Sequence, residues 1–144
     1  MSLVLDGSVV LAWCFDDEVT PAIDDLMRHV ARNGAVVPAI WHLEVANGLR
    51  TALRKQRLTT GRRDELMDIL KLLPIEPDTE TARTAWEKTL QLSDKHGLTP
   101  YDASYVELAL RRALPIATLD QAMCNAAPAC SVDVIGLSSR SAGV

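Results

Sequence analysis

The sequence predicts an α/β protein in three layers, α/β/α, with a short, mainly parallel sheet of about five strands at its centre. Short apolar runs rich in valine and isoleucine alternate with longer segments of helical periodicity. That alternation belongs to a parallel sheet covered by helices on both faces, because a strand buried on both sides has no polar alternate positions. The 144 residues hold no internal repeat, no low-complexity block and no linker long enough to divide two domains. A single domain is expected over residues 1–137, with a loose serine-rich tail over 138–144. A chain of this length buries roughly 70% of its unfolded surface and needs no disulfide or metal to fold.

Leu3-Val4-Leu5 is a first strand ending at Asp6. Ser8 is placed to cap a helix that runs to about Phe15. A second helix spans about Pro21 to Asn33 and stops at Gly34, and Ala35-Val36-Val37 is a buried strand closed by Pro38. A long helix, about Ile40 to Gln56, carries Ile40, Leu43, Ala46, Leu49 and Leu53 at three- and four-residue spacing, which marks them as its apolar face. Thr59-Thr60 starts a helix to about Leu72, and Pro74 to Pro77 is a very short strand. Asp78 opens a helix to about His96, ended by Gly97. Thr99-Pro100-Tyr101-Asp102 opens another, to about Ala113. Pro115 to Leu119 is a strand ending at Asp120, and Val132 to Gly136 is the last strand.

Composition excludes several classes. With 48% hydrophobic and 24% charged residues, the chain is globular rather than disordered. Its three cysteines, Cys14, Cys124 and Cys130, form no CxxC pair. That speaks against a disulfide framework or a zinc cluster and fits a reducing cytoplasm. No stretch approaches the roughly 18–20 apolar residues of a membrane helix, and the N-terminus lacks the basic lead of a signal peptide. A cytoplasmic protein with no membrane association is therefore expected. A net charge of −4 argues against coating nucleic acid by bulk charge, but not against a local basic strip.

In open α/β sheets the ligand crevice lies at the carboxyl ends of the strands, so acids at those ends are informative. Asp6 and Asp120 stand where two strands stop, Asp102 lies in the first turn of a helix, and Glu44 lies one turn into the helix after the Val36-Val37 strand. Each alone has a structural explanation: a turn, a capping box, a helix cap, a solvated helix position. Together they can converge. Two carboxylates about 4 Å apart repel by roughly 4 kcal/mol at an effective dielectric of 20. Four must therefore take up protons or bind cations. Oxygen-only ligands suit Mg2+ or Mn2+, and carboxylate-held cations point to phosphate-ester chemistry with metal-activated water as nucleophile.

At this point Leu5-Asp6-Gly7-Ser8, Glu44-Val45-Ala46-Asn47, Leu98-Thr99-Pro100-Tyr101-Asp102-Ala103 and Ala117-Thr118-Leu119-Asp120 together resemble the PIN-domain ribonucleases. The size and order of segments resemble the VapC-type toxins of bacterial type II toxin–antitoxin pairs. The resemblance covers Leu3 to about Leu137. It implies a PIN-like fold and a Mg2+ (or Mn2+) site built from Asp6, Glu44, Asp102 and Asp120, which carry the catalysis. Ser8 matches the hydroxyl of a D-x-S motif and Thr118 that of a T-x-D motif, each suited to hydrogen-bond a carboxylate and fix which oxygen faces the metal. Asn47, one turn after Glu44, faces the same way and can reach the site. The resemblance further implies RNA as substrate, a cognate protein antitoxin and a homodimer. An acidic pocket of this kind attracts a partner's arginine or lysine as readily as a metal, so a basic side chain inserted by the antitoxin would inhibit it.

Arg50, Arg54, Lys55, Arg57, Arg62 and Arg63 form the one basic run, with no acid between them. The first four could track an RNA backbone towards Glu44; the alternative is a solvated helix end favoured by the macrodipole. The pair Arg111-Arg112 reads as such a C-terminal effect, the run Asp16-Asp17-Glu18 as a solvated loop, and Trp41 and Trp86 as core or interface anchors. Rival functions fit less well. An aspartyl-phosphate phosphatase wants an acid where Ser8 stands. A phospho-receiver module wants a lysine after the late strand, and none follows Asp120. A catalytically silent PIN-like RNA- or partner-binding protein remains as the alternative to a nuclease.

Overall fold

The computed structural model of the chain describes residues 1–137; the tail expected over 138–144 lies outside them. Four strands, β1 (Val4–Leu5), β2 (Ala35–Val37), β3 (Ile75–Pro77) and β4 (Ile116–Ala117), form one parallel sheet in the order β3-β2-β1-β4. Val4 pairs with Val36 on one side and with Ile116 on the other. The chain steps outward from β1 through β2 to β3, then returns to lay β4 on the free side of β1. The winding thus reverses between β1 and β4, and a crevice opens at their carboxyl ends. Pro77 is accommodated because β3 is an edge strand.

About five strands were expected, and the fifth is reduced to a single parallel bridge between Ile116 and Val134. It is held by hydrogen bonds from Ile116 N to Asp133 O and from Ile135 N to Ile116 O, both 2.9 Å. The reason lies next door: β4 is two residues long, so it offers little backbone to pair with.

The helices are α1 (Gly7–Cys14), α2 (Pro21–Asn33), α3 (Trp41–Arg54), α4 (Thr60–Leu70), α5 (Thr81–Thr84), α6 (Leu90–His96), α7 (Pro100–Arg112) and α8 (Gln121–Ala129). The single helix expected from Asp78 to His96 is divided: a π-helical turn, Ala85–Thr89, separates α5 from α6. Helix α8 was anticipated only as a short segment that Asp120 could cap. It is short, alanine-rich, shows no strong apolar periodicity and contains Pro128. Helix α1 packs on α2 and α3, while α7 packs on β1 and β4 and gathers α6 and α8.

Two local readings are corrected. Ser8 is not the cap of α1, because Asp6 holds the N-cap position and makes no side-chain capping bond. The apolar stripe of α3 is Trp41, Val45, Leu49 and Ala52, whereas Leu43 is 75% exposed. Trp41 is the bulkiest side chain of that buried stripe. Glu44, just before buried Val45, stands on the border between core and solvent. Gly48 faces Leu11 of α1, and a methyl there would press on the end of that side chain.

Candidate functional site

Asp6 follows buried β1 and is itself buried. Two hydroxyls converge on it from different parts of the chain. Ser8 Oγ donates to Asp6 Oδ2 at 2.6 Å, and Thr118 Oγ1 donates to the same oxygen at 2.8 Å. Oδ1 receives neither. The two hydroxyls also tie in the neighbouring loop: Ser8 Oγ accepts from the Leu119 amide and Thr118 Oγ1 from the Asp120 amide, both at 3.0 Å. The end of β1 and the end of β4 are therefore fastened together through the carboxylate that stands between them.

Glu44 is half-buried and accepts a hydrogen bond on Oε1 from the hydroxyl of Tyr105 at 2.5 Å. Asp102 lies in the first turn of α7, where its amide is capped by Thr99 Oγ1 at 3.1 Å. Asp120 caps α8, accepting from the Met123 amide on Oδ2 at 2.9 Å, so its structural reading is correct as well as its position. Four elements thus contribute one acid each to a cleft of about 330 Å³, lined by Asp6, Ser8, Glu44, Asn47, Asp102 and Asp120 together with Gly7, Leu11 and Gly48. Among the described residues, no lysine or arginine lines it. A larger groove of about 510 Å³, walled by Ile23, Thr118, Leu119, Val134 and Ile135 among others, contains none of the four acids.

The electrostatics bear the mark of this crowding. Burial pushes the carboxyl of Asp6 above its usual range; the Ser8 and Thr118 hydroxyls pull it back, and the charge of Asp120 adds to the rise. Burial also raises Glu44, opposed by the Tyr105 hydroxyl and reinforced by the charges of Asp6 and Asp102. Asp102 is raised by burial and then by Asp120 and Asp6. Even the thiol of Cys124 is raised, first by burial and then by Asp120 and Asp6. Burial is the largest cause in all four groups, and the negative charge gathered in one small volume adds to it.

Among the described residues, no three His, Cys, Asp or Glu side chains close on one point tightly enough to hold an ion as they stand. The acids line a common cleft rather than forming a finished cage. Their chemistry still fits a hard divalent cation: every donor is a carboxylate oxygen, Asp6 and Glu44 are oriented from behind by hydroxyls, and the repulsion between them is relieved by positive charge.

The basic run divides. Arg50, Arg54 and Lys55 are exposed. Arg57, expected beside them as an RNA contact, is also exposed but is paired with acids of the chain. It reaches Glu18 at 2.7 Å and Asp17 at 3.0 Å, and its guanidinium lies 4.2 Å from the centre of the Phe15 ring. Arg62 and Arg63 pair with Glu65 and Asp64. Within the run Asp16-Asp17-Glu18, the last two residues therefore anchor Arg57. Trp41 is buried as expected, whereas Trp86 is 91% exposed. Sequence reasoning missed Tyr105 as a neighbour of the acids. The available signal was its position three residues after Asp102, which places both on one side of α7.

Comparison with known proteins agrees with this geometry. Residues 3–128 match the PIN domain. Ribonuclease VapC3 of Pyrobaculum aerophilum is 29% identical over 133 residues, covering 90% of this chain and 97% of that protein. In three dimensions the chain is similar to FitAcB of Neisseria gonorrhoeae, with a TM-score of 0.64, 20% identity, and coverage of 94% of this chain and 97% of that one. It is also similar to VapBC2 of Rickettsia felis, solved bound to a DNA fragment from their promoter. There the TM-score is 0.66 and the identity 15%, over 96% of this chain and all of that one. At such identities these two likenesses are of fold.

Proposed function

The chain belongs to the PIN-domain family, and from that premise we propose that it is a Mg2+- or Mn2+-dependent endoribonuclease acting as the toxin of a toxin–antitoxin pair. The observation that carries the reading is the cleft itself: four carboxylates from four separate elements, gathered where the winding of the sheet reverses, with no lysine or arginine among the described residues that line it. The likeness to Ribonuclease VapC3 along nearly its whole length supports RNA as the substrate.

Asp6, Glu44, Asp102 and Asp120 would hold the cation. When bound, a hard divalent ion acidifies a water and screens the charge of a phosphodiester. The chain's own residues supply the rest. Ser8 and Thr118 fix the plane of the Asp6 carboxylate by holding Oδ2. The carboxylates can accept the proton lost by the attacking water. Asn47, at the cleft wall, can donate to a phosphate oxygen, and exposed Arg50, Arg54 and Lys55 follow on the same helix or just after it to track the RNA backbone. Residues 1–137 act as one domain. The partners are RNA, a protein antitoxin and a second copy of the chain in a homodimer. No helix among the described residues is long and apolar enough to cross a membrane, and the cytoplasm is the compartment proposed.

The test is cleavage of a mixed RNA pool with Mg2+, with EDTA in excess, and with Asp6→Asn. Cleavage by the wild type in Mg2+ alone is expected. Cleavage that persists in EDTA, or that Asp6→Asn leaves unchanged, would reject the mechanism. A wild type that binds RNA but never cuts it would favour a catalytically silent binding protein.

A further inference from the structure

Resting on the metal-dependent reading above, we propose that Tyr105 is a positioning residue, whose phenol holds Oε1 of Glu44 so that Oε2 is presented to the cation. The ring of Tyr105 is wholly buried, at 0% exposure, and is closed off from solvent. A buried phenol needs an acceptor. This one finds it on a carboxylate that lines the cleft, 61 residues away in sequence and on a different helix, at 2.5 Å.

The arrangement repeats around the cleft. Asp6 has Oδ2 engaged by Ser8 and Thr118, and Asp120 has Oδ2 engaged by the Met123 amide. In each of three acids the scaffold holds one named oxygen, from behind, and the other oxygen receives none of those bonds. A carboxylate free at both oxygens rotates about its terminal bond. Fixing one oxygen sets the direction of the other, which is what a cation with strict octahedral demands requires of its ligands. Glu44 has the longest side chain of the four and therefore the most rotamer freedom to lose, so it has most to gain from such a hold. Tyr105 also lies three residues after Asp102 on α7. One helix thereby delivers an acid to the cleft and orients a second acid belonging to α3.

The test is Mn2+ binding to the full chain, read from the electron paramagnetic resonance signal of the free ion, for wild type, Tyr105→Phe, Glu44→Gln and the double variant. Tyr105→Phe deletes one oxygen and keeps the packed ring. The expected result is a loss of Mn2+ affinity of about 10–100-fold, the usual cost of removing a group that orients a ligand. In the Glu44→Gln background the same change should cost nothing further, because the phenol acts only through Glu44. Wild-type affinity in Tyr105→Phe, or an equal loss in both backgrounds, would overturn the proposal, the second outcome marking a general loosening. A double-mutant cycle on unfolding in EDTA separates this from failure of the metal reading. If wild type binds no Mn2+, the metal reading falls and the presentation of Oε2 falls with it, while a coupling between positions 105 and 44 in EDTA still shows the hold on Glu44 and its absence removes that too. Should Tyr105→Phe not fold, Glu44→Asp takes its place. Its carboxylate is one methylene short and cannot reach both phenol and cation, so unchanged Mn2+ affinity there would contradict the proposal.

Discussion

Asp6 and Asp78 occupy equivalent places in the fold, each directly after a parallel strand, each buried, and yet they live in opposite electrostatic worlds. Asp78 is gripped by the Arg111 guanidinium through two bonds of 2.9 and 2.7 Å, and Arg111 reaches on to Glu107 at 2.8 and 2.9 Å. Thr81 and Thr84 complete the hydrogen bonding of the two acids at 3.0 and 3.1 Å. Burial alone would push Asp78 up, but the guanidinium and the Thr81 hydroxyl outweigh it and hold its carboxyl below the usual range. Asp6 has two hydroxyls, a neighbouring carboxylate and no cationic partner among the described residues, so burial prevails and it is pushed up. The lesson is that an acid at a strand end does not announce its purpose. Where the chain provides its own arginine, the acid is part of the scaffold. Where it gathers further acids instead, the missing positive charge has to come from outside.

The largest expected effect contrasts the two clusters by activity. Asp6→Asn should lower RNA cleavage by about 100- to 1,000-fold, the scale of losing one charge-stabilising group at a reacting centre. Arg111→Met should leave cleavage by the folded protein close to wild type; comparable losses in both variants would erase the distinction. Stability should show the reverse. Arg111→Met strands two buried carboxylates and should cost about 3 kcal/mol in denaturant unfolding, and a loss below about 0.5 kcal/mol would mean that the network is decorative. Next in size is Ser8→Ala, which removes one of the two hydroxyls on Asp6 Oδ2. Mn2+ affinity should fall roughly 10-fold or more, and an unchanged affinity would show that Thr118 suffices.

The smallest effect is the pH dependence of stability in EDTA. Asp6, Glu44 and Asp102 have raised values in the folded protein, so the folded state binds more protons than the unfolded one. Stability should therefore fall as pH rises from the ordinary carboxylate range through those raised values. Asp78 has the opposite sign: its contribution is present above the ordinary range and is lost as pH falls through its lowered value. Thermal unfolding of wild type and Asp6→Asn across this range checks the sum, and the variant should show the shallower decline. Equal slopes would mean that Asp6 is not strained by its neighbours.

Much of this was legible in the sequence, and the exceptions have physical causes. Asp6 and Asp120 could be placed because strand ends in a parallel sheet share one crevice, and Ser8 and Thr118 because they match the D-x-S and T-x-D hydroxyls of the family that the sequence resembles. The partial fifth strand was overestimated because the Val132–Gly136 run looks like a strand whether or not β4 is long enough to pair with it. The core face of α3 was misjudged because Leu43 scores as apolar in any pattern, whereas the buried stripe runs through Trp41 and Val45. Arg57 looked free beside Arg50 and Arg54, since its acidic partners lie about 40 residues upstream. Tyr105 was invisible as a partner of Glu44 because nothing local ties α7 to α3. Long-range pairings of single side chains are the part of a structure that periodicity does not encode.

The most direct measurement of the central claim is a calorimetric titration of Mn2+ into wild type, Asp6→Asn and Arg111→Met in EDTA-stripped buffer. The account predicts saturable binding to wild type and to folded Arg111→Met, and its loss in Asp6→Asn. Binding that survives Asp6→Asn, or a wild type that takes up no cation at all, would contradict it.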